Sequence, residues 1–258
     1  MDHIFGYPDF DKNGEKTLTG AAGDFAFTMM DIKVYRLEKG KSISFCSPDQ
    51  ETALLLVQGN VTYRWQGKEV SAKRGDFIKE GAFCLHVCKG VSASVTAQEK
   101  SELLVQSTAN GGLFESKFYT PETTIEETFS KNQFEGKAQR SVRTFFDYHT
   151  APYSNMVMGE IIVPQGGWSS YPPHQHPQPE VYYYRFEKPQ GFGACFIGEE
   201  AKMIRDGSFC AIPGGLTHPQ VNAPGYPMYY VWMIRHFEGN PWTDRIFDPK
   251  HEWLLNEP

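Results

Sequence analysis

Apolar and polar positions along this chain fall into short runs with a period near two. Residues 32–37, 52–57, 61–65, 91–97, 103–107, 156–163, 181–186 and 228–234 are rich in β-branched and aromatic side chains, and several alternate as half-buried strands do. Gly and Pro punctuate the intervals between them. Strands at such close spacing predict an all-β sandwich or barrel. Helical signals are few. The best is 121–129 (PETTIEETF), with Pro early and acids in the first turn. It predicts a short connecting helix, followed by a polar stretch over 130–140.

The two halves around that connector resemble each other. With Gly75 of RGDFIKEG set over Gly207 of RDGSFCAIPGG, His86 falls over His218. A duplication of this kind predicts two similar barrels, 1–130 and 131–258. A chain of 258 residues is long enough for that division. Aromatics make up 14% and charged residues 22%, which excludes a disordered chain. The net charge of −6 comes from scattered groups with no basic cluster, so no nucleic-acid surface is expected. No apolar run approaches the roughly 18 residues of a membrane span. The opening MDHIFGYPDFDKNG has neither a basic nor an apolar leader region, and five widely spaced cysteines form no disulfide framework. A cytoplasmic protein with reduced thiols is the expectation.

The chemistry concentrates in GWSSYPPHQHPQPE, residues 167–180. In an extended chain residues of equal parity share a face, so His174, His176 and Glu180 point the same way. The stretch GSFCAIPGGLTHPQVN, 207–222, adds His218. Three imidazoles and a carboxylate form an N/O ligand set for a divalent metal, with Zn first and Mn, Fe, Co or Ni also suited. Proline fixes φ and stiffens the loop that presents the histidines. Tyr182 and Tyr184 share the parity of Glu180 and point into the same barrel. Glu160 is an acid on an otherwise apolar run and a candidate general base. Cys84-Leu85-His86-Val87-Cys88 also places three metal-ligating types on one face, but no fourth ligand is evident and buried structural thiols are the simpler reading. Trp168, Trp242 and Trp253 are packing or sugar-stacking groups.

HxH-x3-E followed by G-x5-P-x-G-x2-H-x3-N resembles the paired motifs of the cupin superfamily. Gly207, Pro213, Gly215, His218 and Asn222 fit the second motif position by position. Around them, Gly159-Glu160, GGWSSYPP, EVYYYRF, Gly191-Phe192-Gly193, Tyr229-Tyr230 and DPKHEWL are similar to the 5-deoxyglucuronate isomerase family of inositol breakdown. That family is a bicupin related to the uronate ketol isomerase of pectin breakdown. The likeness is dense over 140–258 and thinner before, where Gly59–Tyr63 and Arg74–Phe77 carry it. Two departures stand out. Gly167 is one residue too far from His174, and only Pro177–Pro179 separate His176 from Glu180 where the family has a longer acidic insert.

The resemblance implies a metal-dependent aldose–ketose isomerase converting 5-deoxy-glucuronate to 5-dehydro-2-deoxy-gluconate, with a proton moved between adjacent carbons. His174, His176, Glu180 and His218 then hold the metal, Glu160 or Tyr184 moves the proton, and Arg185, Arg143 and Tyr182 contact a substrate carboxylate or sugar. Arg185 has the parity that points it outward, so its role rests on the resemblance. The first barrel has lost its site: aligning Glu51 with Glu180 puts Phe45 and Ser47 where His174 and His176 stand. A small sugar acid is the expected partner, together with a homo-oligomeric assembly, a dimer or larger. Isomerisation of another uronate, an Fe-dependent cupin dioxygenase and a non-catalytic sugar-binding bicupin remain open as alternatives.

Overall fold

The computed structural model describes residues 4–257, and its regular elements are almost all antiparallel strands. The chain forms two compact units. One contains Pro8–Thr124 with Ala151–Asn155; the other contains the described part of Met1–Tyr7 with Ile125–Thr150 and Met156–Pro258. Contacts thus divide the chain at 124/125 rather than at 130/131, and each unit also holds a short segment from the far side of that division. No helix among the described residues is long and apolar enough to cross a membrane.

The spine of the first unit is one strand of 16 residues, Gln50–Trp65, where the hydrophobic pattern predicts two. Its first half pairs with Ser101–Ala109 and Phe83–Val87, its second half with Lys68–Arg74 and Ala93–Ala97. Gly59 sits between the halves at φ +124°, and a Cβ there would come within 2.3 Å of Ser101 Oγ. Only glycine tolerates that bend, which lets one strand serve two sheets. Leu54, Leu56, Leu85 and Val105 meet Val61, Tyr63 and Val95 in the enclosed core. Glu51 and His86, both fully buried, pair at 2.8 Å. The Glu51 carboxylate also accepts from Asn110 Nδ2 at 3.1 Å, Ser154 Oγ at 2.9 Å and the Asn155 amide at 2.6 Å. These are the positions that the duplication sets over Glu180 and His218.

The second unit packs a seven-stranded sheet against a four-stranded one. The larger runs Phe5–Gly6, Phe209–Ile212, Glu180–Phe186, Met228–Arg235, Met156–Val163, Arg140–Phe146 and Ile125–Phe129 in spatial order. The smaller runs Trp168–Ser169, Gln220–Asn222, Phe192–Ile197 and Glu200–Arg205. Val157, Ile161, Val163, Tyr182, Tyr184, Cys195, Ile197, Tyr230, Trp232 and Ile234 fill the space between them. These positions alternate along each strand, as a one-sided core requires.

The helix expected over 121–129 is absent. Thr120 accepts from the amides of Thr123 and Thr124 in a tight turn, and Ile125–Phe129 then forms an edge strand against Arg140–Phe146. β-Branched Thr123, Thr124, Ile125 and Thr128 suit a pleated edge. The cross-strand ion pair between Glu126 and Arg143, at 3.1 Å, adds to it. Acids in the first turn are a weaker preference than a strand partner. The connector therefore belongs to the wall of the second barrel, where it borders the site.

Candidate metal centre

His174 opens a two-residue strand that pairs with Ile246–Phe247, so the C-terminal segment pins the histidine loop. Gly214 lets that loop close: a Cβ there would lie 1.7 Å from the Pro177 carbonyl oxygen. The Gly215 amide donates to the His176 carbonyl at 2.8 Å. Glu180 begins a strand held on both sides, facing Ile212 and Ile234. His218 follows the IPGG turn just before Gln220–Asn222. All four side chains are buried.

Each imidazole is locked by the same device. Nδ1 of His174 donates to the Pro172 carbonyl at 2.8 Å, that of His176 to Gln178 at 2.9 Å and that of His218 to Leu216 at 2.9 Å. With the proton on Nδ1, Nε2 of a neutral ring presents a lone pair. Burial holds the pKa of His174 well below the usual imidazole value, helped by the neighbouring imidazole of His218. Burial likewise lowers that of His218, against the pull of Glu180. Both rings are therefore neutral at pH 7 and ready to ligate.

Glu180 Oε2 lies 3.3 Å from His176 Nε2 and 3.2 Å from His218 Nε2, and it accepts from Tyr182 Oη at 3.0 Å. His218 Nε2 is buried without a hydrogen-bond partner. A nitrogen lone pair facing a carboxylate oxygen across 3.2 Å, away from water, is repulsive unless a cation lies beside both. Ligand atoms of His176, Glu180 and His218 all fall within 4.8 Å of one another, the single such group of three or more among the described residues. His174 adjoins them, its ring 5.1 Å from that of His218. The donor set fits a divalent metal.

His174, His176 and Glu180 form one wall of a cavity of about 200 Å³, several times the roughly 30 Å³ share of a water molecule and on the scale of one small molecule. Other walls carry Glu127, Phe129, Arg140, Asp147, Ser170, Tyr182, Trp232, Trp242 and Arg245.

Of the residues expected to act on substrate, Tyr182 reaches the cavity, its hydroxyl between Ser170 Oγ and Glu180 Oε2, 3.0 Å from each. Tyr184 lies deeper in the barrel and donates to Gln220 Oε1 at 2.6 Å. Glu160 and Arg143 are brought together, at 3.0 Å, on the opposite face of the sheet, where Tyr229 Oη donates to Glu160 at 2.9 Å. Arg185 pairs with Asp206 at 2.7 Å, as its parity indicates. The cavity cations are instead Arg140 and Arg245. Parity along 140–146 carries the signal for the first, since apolar Val142 marks the inward face and Arg140, two residues earlier, shares it.

The family model for the KduI/IolB family matches residues 7–254. The 5-deoxy-glucuronate isomerase of Geobacillus thermodenitrificans (strain NG80-2) is 26% identical over 244 residues, covering 87% of this chain and 85% of that protein. An IolB-like protein from Salmonella typhimurium LT2 superposes with a TM-score of 0.88 at 21% identity, over 98% of this chain and 100% of that one. Bacillus subtilis oxalate decarboxylase, whose Mn(II) centres have been characterised, shares the fold at a TM-score of 0.65 and 12% identity, over 100% of this chain and 82% of that one. The duplicated β-barrel is thus the cupin fold, and the chain belongs to the KduI/IolB family.

Proposed function

We propose that this protein is a metal-dependent aldose–ketose isomerase that converts 5-deoxy-glucuronate to 5-dehydro-2-deoxy-gluconate in inositol breakdown. One observation carries the metal dependence: the Nδ1-locked imidazoles of His176 and His218 meet the Glu180 carboxylate through Nε2, that of His218 buried and unpartnered, with the equally locked ring of His174 beside them. The name of the Geobacillus relative supports the reaction. His174, His176, Glu180 and His218 would hold the ion, which supplies Lewis-acid polarisation of the substrate's carbonyl and neighbouring hydroxyl oxygens.

This chain's own groups do the rest. Tyr182 holds Glu180 in place and shapes the floor. Trp232 and Trp242 exclude water from one side of the cavity. The proton must be carried by a group that faces the cavity, which removes Glu160 and Tyr184 from that role. Glu127 and Asp147 both face it. Asp147 Oδ1 is engaged by the Thr150 amide and hydroxyl, each at 2.9 Å. Among the described residues none donates to Glu127, so Glu127 is the carboxylate free to take a proton from one carbon and return it to the next.

Incubation of metal-loaded protein with 5-deoxy-glucuronate, followed by NMR, tests the reading. Conversion should stop when His174 and His176 are both replaced by Ala, with metal content lost in parallel and the fold kept. Oxygen uptake with a catechol or thiol substrate would favour a dioxygenase instead. A cytoplasmic homo-oligomer belongs to the same reading, and light scattering measures its size.

A further inference from the structure

Arg140 is 4% exposed, yet its guanidinium meets only neutral groups. It donates to the Ala138 carbonyl at 2.9 Å, the Tyr171 carbonyl at 3.3 Å and Ser130 Oγ at 3.4 Å. Three bonds leave two of the five guanidinium N–H donors unspent. Among the described residues no carboxylate lies within ion-pair distance of it. A buried cation without a counter-ion is costly, and a folded chain retains one where something else supplies the charge.

A second cation converges on the same place. The guanidinium of Arg140 lies 5.5 Å from the Phe129 ring centroid and that of Arg245 lies 5.4 Å from it. Among the described residues Arg245 reaches no acid except its chain neighbour Asp244, at 3.6 Å. Glu127 and Asp147 share the cavity but pair with neither arginine. Two like charges brought to one aromatic ring inside a cavity repel each other unless an anion joins them.

We propose that Arg140 and Arg245, gathered around Phe129, form a carboxylate-binding subsite that selects a sugar acid over a neutral sugar. The proposal deepens the isomerase reading and rests on it for the class of substrate. Arg140, held by two backbone carbonyls, presents a preorganised fork at the buried end; Arg245, more exposed, completes the grip from the rim. Arg143 and Arg185, whose guanidinia are spent on Glu160, Glu126 and Asp206, take no part.

Tryptophan fluorescence tests this, because Trp232 and Trp242 line the cavity. The full-length protein is titrated with D-gluconate and with D-glucitol, which have the same carbon chain, differ in the carboxylate and carry no carbonyl to isomerise. Gluconate should bind at least tenfold tighter. Arg140→Met and Arg245→Met should each remove most of that preference, Arg140→Lys should restore part of it, and Arg185→Met should leave it intact. Equal binding of the two ligands by the wild type overturns the proposal. So does a full preference in Arg140→Met with a native circular dichroism spectrum. If Arg140→Met does not fold, Arg245→Met, on the rim, decides in the same way. An arginine-dependent preference in a protein that does not convert 5-deoxy-glucuronate supports the subsite and removes the isomerase reading alone.

Discussion

Each cluster histidine gives its Nδ1 proton to a carbonyl two residues away, and that local bond decides what the ring can offer. It holds the ring proton on Nδ1 and leaves Nε2 as the open face, while burial keeps the pKa of His174 and His218 below the usual imidazole value. Glu180 is set by Tyr182 in a similar way. Replacing Tyr182 by Phe keeps the ring and removes the hydrogen bond to Oε2. Metal affinity should fall by about 10–100-fold, the usual cost of losing a partner behind a ligand, as read by competition with a chromophoric chelator. Glu127→Gln should lower kcat by at least about 100-fold, the lower range for loss of a general base, with KM nearly unchanged. A variant that keeps full kcat would send the proton-transfer role to Asp147.

At the scale of elements, the strand pleat made the candidate metal ligands legible and left the rest of the cavity obscure. His174, His176, Glu180 and Tyr182 share parity, and the structure brings all four to one wall. Glu160 also belongs to a legible strand, Met156–Val163, but an acid's presence in an apolar run says nothing about which face it takes. Val157, Ile161 and Val163 claim the interior, and Glu160 is left to Arg143 and Tyr229 outside. Arg140 shares the inward parity of Val142, but its meeting with Arg245 was hidden for another reason. Their setting depends on Ile125–Phe129 being a strand, and the sequence there imitates a helix start. The Gly214 contact is a further constraint on the loop. Gly214→Ala must displace Pro177 and with it the His176 backbone, so metal affinity should fall with secondary structure unchanged. Circular dichroism beside a metal titration would show this; undiminished affinity would mean the loop moves freely.

Across the whole molecule the duplication has produced two copies with different fates. In the first unit Glu51 and His86 keep the acid–imidazole pair, but the Glu51 carboxylate is occupied by amide and hydroxyl donors. In the second the equivalent carboxylate faces imidazole lone pairs. A metal that binds the folded cluster stabilises the protein by about 2.7 kcal/mol when its free concentration is 100 times Kd. Calorimetry of metal-loaded protein should therefore show a melting transition that moves down on chelation and returns when the ion is restored. The His174→Ala/His176→Ala variant should show no such shift.

Metal-dependent isomerisation is tested most directly by an NMR time course of 5-deoxy-glucuronate with protein whose metal content has been measured. A metal-dependent isomerase converts it to 5-dehydro-2-deoxy-gluconate without oxygen consumption, stopped by chelation and recovered on adding back a divalent metal. Metal-loaded protein that leaves 5-deoxy-glucuronate unchanged, or full conversion by the His174→Ala/His176→Ala variant, would contradict that function.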